Sequence, residues 1–127
     1  MRLLIDTQIL IWLIIDTQKI PKNIHNFLNN TENEIFVSSV SIWEMAIKIS
    51  IKKLILPFEV KNIIKEIKNM NMNILDISSN HLIKVADLPF HHKDPFDRLI
   101  ISQAIIENLP VITSDKNFDY YEIKNIW

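Results

Sequence analysis

The sequence contains no cysteine and no glycine, and each absence narrows what the protein can be. Without cysteine, the chain forms no disulfide, no zinc–thiolate site and no thiol nucleophile, and this composition suits a reducing compartment. Without glycine, turns that need a positive φ fall to asparagine and aspartate, which are the next most tolerant residues. Asparagine is abundant in the chain, so we expect it at such turns.

The chain also lacks a strong charge of either sign and a long apolar run. Its net charge is −1, so any contact with nucleic acid is expected to come from a local patch or from bound metal. The apolar segment at residues 9–15 is far shorter than the roughly 20 residues that a membrane-spanning helix needs. Polar residues 6–8 precede it and no small-residue cleavage site follows it. We therefore expect a cytoplasmic protein that uses no membrane.

Length and periodicity predict a single α/β domain over residues 1–127. Short apolar segments typical of buried strands alternate with segments of helical spacing, and no repeat or linker divides the chain. Such alternation implies βαβ units and a mainly parallel sheet. The strands are predicted at residues 3–5, 34–38, 72–75, 111–113 and 124–127.

Four acidic residues fall where predicted strands end or where the following helices begin: Asp6, Glu44, Asp97 and Asp115. Asp6 and Asp115 each follow a strand. Asp97 lies in the first turn of a helix, and Glu44 lies one turn into the helix after the second strand. Because strand C-termini and the helix N-termini that follow them share one edge of an open parallel sheet, we expect the four carboxylates to converge there.

Each of these carboxylates also has a purely structural interpretation. Asp6 could cap the helix that follows it, and Asp115 could be a turn residue. Asp97 would favour the dipole of its own helix without any catalysis. Glu44 completes a possible capping box with Ser41. Since acids are common at helix N-termini regardless of function, only their convergence would distinguish a functional site.

Converging carboxylates favour the binding of a cation, because nearby like charges and burial both raise the pKa of an acid. Oxygen ligands of this kind suit Mg²⁺ or Mn²⁺, which retain water and contact the phosphate oxygens of a substrate. One or two such ions can activate water and stabilise the charge that develops at phosphorus. The sequence therefore predicts a metal-dependent phosphodiesterase.

Four blocks of the sequence resemble the PIN domain and, more narrowly, VapC-type toxins of bacterial toxin–antitoxin pairs. They are LLIDTQILIWL (3–13), VSSVSIWEMAIK (37–48), LPFHHKDPFDRLIISQA (88–104) and PVITSDKNFDYY (110–121). The resemblance spans nearly the whole chain and implies a PIN-like three-layer α/β/α fold with a central, mainly parallel sheet. It also implies an Mg²⁺- or Mn²⁺-dependent endoribonuclease, a homodimer, and inhibition by a small antitoxin whose tail occupies the acidic groove.

Carried over by motif, the catalytic and metal-binding acids are Asp6, Glu44, Asp97 and Asp115. Within the DPFDR motif we prefer Asp97 over Asp94, because Asp94 is already explained as the cap of a helix whose first residue is Pro95. Asp119 matches a less certain acidic position and stays outside the set. Thr7 and Thr113 would support the acids by hydrogen bonds.

The sequence departs from the family at three positions. Gln8 stands where relatives often carry His, so the resemblance implies no role for it. Asn108 replaces a Gly before a strand and can adopt the left-handed cap conformation. Lys52 replaces a Gly near the end of the helix that bears Glu44. None of these positions is one of the four acids.

Several other side chains could have either a functional or a purely structural role. Arg98 is expected to contact a phosphate or a carboxylate. His91 and His92 lack a third ligand at helical spacing, so they are weak evidence of a metal site and are expected to lie in a loop that lines the groove. Trp12 and Trp43 are predicted to lie in the core. The helix lysines near Glu44 are expected to be solvated, although such a rim could hold RNA phosphates: Lys48, Lys52 and Lys53.

Three other functions compete with a ribonuclease. An aspartyl-phosphate enzyme of the haloacid-dehalogenase type would use Asp6 as nucleophile, but it needs an acid two residues on, where Gln8 stands. DNA nucleases with similar acidic sites usually carry longer insertions that clamp DNA. A catalytically weak PIN-fold module that acts through an antitoxin or RNA partner remains as the alternative, and the intact acids argue against it.

Overall fold

The computed structural model describes residues 1–127 and contains one five-stranded sheet with the order β3-β2-β1-β4-β5. Every neighbouring pair of strands is parallel, so the predicted parallel sheet is confirmed. The strands are β1 (Arg2–Ile5), β2 (Glu34–Ser38), β3 (Asn73–Leu75), β4 (Val111–Ile112) and β5 (Asn125–Ile126).

Six α-helices connect these strands, and no helix is long and apolar enough to cross a lipid bilayer. They are α1 (Thr7–Ile15), α2 (Lys22–Asn29), α3 (Ser39–Ser50), α4 (Ile63–Asn69), α5 (Ser79–Asp87) and α6 (Pro95–Glu107). Short 3₁₀ helices occupy Thr17–Lys19, Val60–Asn62 and Lys116–Tyr120.

The sheet separates two hydrophobic cores. Successive side chains of a strand point to opposite faces, so Leu3 and Ile5 of β1 pack into one core and Leu4 packs into the other. All three side chains are fully buried. A parallel sheet that is covered on both faces needs continuous apolar strands rather than alternating ones, which explains the composition of β1. The three-layer α/β/α arrangement expected from the resemblance is therefore confirmed.

The central position of β1 determines which residues leave the sheet together. Ile5 aligns with Val37 of β2 on one side and with Ile112 of β4 on the other. The residues that follow Ile5 and Ile112, Asp6 and Thr113, therefore emerge at the same edge of the sheet. The helices that begin at this edge present their first turns to the same space.

Two predicted helix faces differ from the structure. Trp43 was expected in the core but is 55% exposed, because Met45 is buried and lies about 200° around α3 from it. The apolar spacing of residues 58–70 predicts one helix with Val60, Ile63, Ile64 and Ile67 facing inward. Instead α4 follows a 3₁₀ turn; Ile63 and Ile67 are buried, but Val60 and Ile64 are exposed.

Positive φ angles occur at three residues, and none of them is glycine. Asn71 has a φ of 61°, and Asn108, which ends α6 in the left-handed conformation, has a φ of 53°. The expectation that asparagine fills such positions is confirmed at these two residues. The third is Lys52, with a φ of 60°, just after α3. A side chain with a Cβ atom is strained in this region, so Lys52 lowers the stability of the fold.

We expect Lys52→Gly to raise the free energy of unfolding by about 1 kcal/mol, because glycine adopts a positive φ without steric cost. Urea denaturation measures the change. The control is Lys53→Gly, since Lys53 is equally exposed but does not have a positive φ. Equal shifts in the two variants would show that Lys52 is not strained.

Candidate active site

A polar cleft of about 290 Å³ opens at the carboxyl edge of the sheet, beyond β1 and β4. All four predicted acids lie in it, and no hydrophobic residue lines it. The lining residues are Asp6, Thr7, Gln8, Glu44, Lys48, Asp94, Asp97, Ser114 and Asp115. Residues that are far apart in sequence are thus brought together by the parallel topology, as expected.

Asp6 is the most buried of the four acids, with 4% of its surface exposed. One carboxylate oxygen caps α1 by accepting the N–H of Ile9 at 2.9 Å, and the other accepts the hydroxyl of Thr113 at 2.5 Å. The pKa of Asp6 is raised to about 6, chiefly by burial; the bonds from Thr113 and Ile9 lower this pKa, and the charges of Asp115 and Glu44 raise it. Asp6 is therefore both a helix cap and a member of the acidic cleft.

Asp97 is partly buried, and its surroundings also disfavour the anion. Its pKa is raised from an ordinary value of 3.8 to about 7, chiefly by burial. The negative charges of Asp94, Asp6 and then Glu44 add to the shift, and His92 partly offsets it. A carboxyl with this pKa is close to half protonated at neutral pH, so a bound cation would compete with a proton for it.

Asp94 caps α6, as predicted. Its Oδ1 accepts the backbone N–H groups of Phe96 at 2.8 Å and Asp97 at 3.1 Å. One carboxylate oxygen of Asp94 is thus used by the helix, whereas the carboxylate of Asp97 makes no such bond; both residues line the cleft. The choice of Asp97 over Asp94 as the site residue stays a prediction.

Glu44 does not form the capping box that its spacing with Ser41 suggested. α3 begins directly after β2, and Ser38 caps it by accepting the N–H of Val40 at 3.0 Å. Glu44 is therefore inside the helix, where its Oε2 lies 2.9 Å from Nζ of Lys48. The hydroxyl of Ser41 instead bonds that of Thr7 at 2.8 Å, so this threonine joins α1 to α3 rather than bonding an acid.

His92 bridges two of the acids, a role that the sequence analysis missed. Its Nε2 lies 3.0 Å from Asp97 Oδ2 and 2.9 Å from Asp115 Oδ2. Its Nδ1 accepts the backbone N–H of Asp94 at 3.2 Å, so the proton of the neutral ring lies on Nε2 and points toward the carboxylates. His91 lies outside this arrangement and contacts the ring of Tyr120 instead.

The arrangement can coordinate a hard divalent cation. One potential ligand atom from each of His92, Asp97 and Asp115 lies within 4.8 Å of the other two, and Nε2 of His92 would release its proton to bind a metal. Asp6 and Glu44 line the same cleft. Carboxylate oxygens are the ligands that Mg²⁺ and Mn²⁺ prefer, and the absence of cysteine excludes a thiolate site.

The sequence matches the PIN domain family over residues 3–124. This chain belongs to the PIN domain family. No curated protein sequence matches it.

Solved structures with the same fold cover nearly the whole PIN domain. VapBC2 from Rickettsia felis, bound to a DNA fragment from its promoter, is 22% identical with a TM-score of 0.72, over 99% of this chain and 98% of that one. DNA-bound VapBC from Salmonella typhimurium is 19% identical with a TM-score of 0.75, over 99% and 97%. A toxin–antitoxin complex from Klebsiella pneumoniae is 20% identical with a TM-score of 0.65, over 98% and 96%. At these identities the likeness establishes a shared fold.

Arg98 of this PIN domain does not contact an acid or face the cleft, so the expectation of a phosphate or carboxylate contact is wrong. Only 5% of the residue is exposed. Its guanidinium donates to backbone carbonyl oxygens at 3.0–3.3 Å, those of Val85, Leu88, Pro89 and His92. Arg98 follows Asp97 by one residue, about 100° around α6, and therefore points beneath the loop before the helix. It holds the loop that carries His92.

We expect Arg98→Lys to lower the free energy of unfolding by about 2 kcal/mol or more, because lysine lacks the planar fork and leaves buried carbonyl groups without donors. Thermal and urea denaturation measure the loss. Arg2→Lys is the control, since Arg2 is exposed and its pair with Glu34 at 3.8 Å contributes under about 1 kcal/mol. Similar small losses in both variants would mean that Arg98 does not hold the loop.

Asp97→Asn is expected to stabilise the metal-free PIN domain at alkaline pH. Because the pKa of Asp97 is higher in the folded chain than its ordinary 3.8, its ionisation opposes folding. This penalty is absent below about pH 4, grows as the pH rises and is complete above about pH 7. The substitution should therefore raise the free energy of unfolding by about 1–3 kcal/mol near pH 8 and by much less near pH 4. Urea denaturation in EDTA measures this change.

Asp76→Asn provides the comparison, because Asp76 is an exposed aspartate outside the cleft. It should leave the pH dependence of unfolding unchanged. A gain for Asp97→Asn that does not vary with pH would contradict the raised pKa of Asp97.

Proposed function

We propose that this PIN domain is an Mg²⁺- or Mn²⁺-dependent endoribonuclease that hydrolyses RNA phosphodiester bonds, and that it is the VapC-type toxin of a toxin–antitoxin pair. The observation that carries the proposal is the convergence of four carboxylates, distant in sequence, in one polar cleft. Burial, with a smaller contribution from the neighbouring carboxylates, raises the pKa of Asp6 and of Asp97, and a bound divalent cation would favour both anions.

The metal-binding and catalytic residues in this proposal are Asp6, Glu44, Asp97 and Asp115. When bound, the metal supplies Lewis acidity that activates water and stabilises the negative charge that develops at phosphorus. Thr113 orients Asp6 by donating to one of its oxygens, and the N–H of Ile9 orients the other. These two bonds hold the carboxylate in one rotamer before any substrate arrives.

Basic side chains at the cleft allow an acidic site to accept a polyanion. Lys48 lines the cleft and its side chain is 38% exposed, so its ammonium can turn from Glu44 to an RNA phosphate. The Nε2–H of His92, shared by Asp97 and Asp115, offsets part of their charge. Thr7 supports the site indirectly by joining α1 to the helix that bears Glu44.

The proposed partners are an RNA substrate, a small cognate antitoxin and a second copy of the chain, all in the cytoplasm. Support for an antitoxin comes from the solved structures of similar fold, one of which is named as a toxin–antitoxin complex. Support for RNA comes from the metal-binding chemistry of the cleft and from the absence of long insertions in a chain of 127 residues.

Purified protein is expected to cleave single-stranded RNA with Mg²⁺ or Mn²⁺ and to lose this activity in EDTA. Asp6→Asn and Asp97→Asn should each lower the cleavage rate roughly 100-fold or more, because each removes a negative ligand of the metal. Gel separation of end-labelled RNA measures the rates, and circular dichroism verifies that the variants fold.

The matched control is Asp119→Asn, because Asp119 is an exposed aspartate that accepts a bond from Asn125 at 2.7 Å and does not line the cleft. This variant should cleave like the wild type. Undiminished cleavage in EDTA would disprove the metal mechanism. Binding of metal and RNA without cleavage would instead favour the alternative, a catalytically weak PIN module that acts through its partners.

A further inference from the structure

An exposed aromatic pair lies between α3 and α6. Trp43 on α3 is 55% exposed, and its ring centroid is 4.9 Å from that of Phe96 on α6, with an interplanar angle of 73°. This edge-to-face geometry is a favourable one for aromatic rings, so it holds the indole in one orientation. Most of the Trp43 surface nevertheless remains open to solvent.

The pair is directly adjacent in sequence to two acids of the cleft. Trp43 precedes Glu44, and Phe96 precedes Asp97. Consecutive Cα atoms are about 3.8 Å apart, so the indole is attached one residue away from a carboxylate that lines the cleft. The cleft itself contains no hydrophobic residue. The contact between Trp43 and Phe96 joins α3 and α6, the same two helices that carry Glu44 and Asp97 into the cleft.

We propose that Trp43, held by Phe96, is a stacking platform for a base of single-stranded RNA, next to the phosphate that enters the cleft. This inference rests on the proposed ribonuclease function and adds a binding site for a nucleobase to it. Every nucleobase has an aromatic face, and flat aromatic side chains bind such faces in proteins that bind single strands. Because the indole is already oriented, little side-chain entropy is lost on binding.

A positive charge near Trp43 suits the phosphate backbone of the RNA whose base would stack there. Lys48 lies on α3 at the cleft, one helical turn beyond Glu44, and is the cation nearest to this acid. A strand whose base stacks on Trp43 would carry its phosphates past Lys48 toward the carboxylates. Stacking accepts any base but favours larger rings, so the platform gives a modest preference for purines.

A second copy of the chain is the competing occupant of this surface. The neighbouring residues on the outer face of α3 are small or half-buried, namely Ala46, Ile47 and Ser50. Trp43 is the one exposed large hydrophobic side chain within α3, and Ile51, which caps the helix on the same face, is also exposed. One exposed ring suits a single base, whereas a stable protein interface buries roughly 800 Å² of each partner.

Fluorescence anisotropy of labelled oligoadenylate and oligouridylate with Mg²⁺ tests the platform, in an Asp6→Asn background that prevents cleavage. Trp43→Ala should weaken binding of oligoadenylate roughly 5- to 100-fold and reduce the preference for it over oligouridylate. Trp43→Phe should retain most of the affinity. Trp127→Ala is the matched control, because Trp127 is similarly exposed, contacts Trp12 and does not line the cleft.

Measurements on Trp43→Ala without the Asp6→Asn substitution distinguish two outcomes: that Trp43 does not bind a base, and that the protein is not a ribonuclease. If metal-dependent cleavage occurs and Trp43→Ala keeps the same KM and oligonucleotide affinity, the platform is disproved while the ribonuclease stands. If neither cleavage nor RNA binding occurs, both are disproved. If Trp43→Ala turns a dimer into a monomer by light scattering and leaves RNA affinity unchanged, the surface belongs to a second copy.

Discussion

The burial of carboxylates beside one another at the carboxyl edge of the sheet is the constraint on which the site depends. Asp6 is buried and Asp97 is partly buried, and loss of solvation is the chief reason why the pKa of each carboxyl is raised. A fold gains no stability from such an arrangement. The cleft is therefore best explained by a ligand that is positively charged, compact and able to bind several oxygens at once.

The rest of the chain keeps these anions in place. Asp6 directly follows β1, the central strand of the parallel sheet. The continuous apolar residues of β1 pack into the two cores and hold this strand in place. Thr113, one residue beyond β4, orients Asp6. Asp94 caps the helix that bears Asp97. Arg98, on the same helix, ties down the loop that positions His92 with bonds to backbone carbonyl groups.

Features that depend on local pattern could be predicted from the sequence. The strands, the cap at Asp94 and the left-handed Asn108 follow from apolar periodicity and residue type, and the shared edge of a parallel sheet then gathers the acids. The rest depends on tertiary contacts. His92 contacts Asp97 on α6 and Asp115 after β4, and Arg98 is buried beneath the loop before α6. Residue spacing in the sequence does not predict either arrangement. Trp43 was misplaced because apolar neighbours in a helix do not reveal which face is covered.

Direct titration of metal tests the central claim most closely, because it needs neither RNA nor an antitoxin. Isothermal titration of the purified protein with Mn²⁺ should show saturable binding that is lost in Asp97→Asn and retained in Asp119→Asn. Binding that is equal in all three proteins, or no binding in the wild type, would mean that the four carboxylates do not form a metal site.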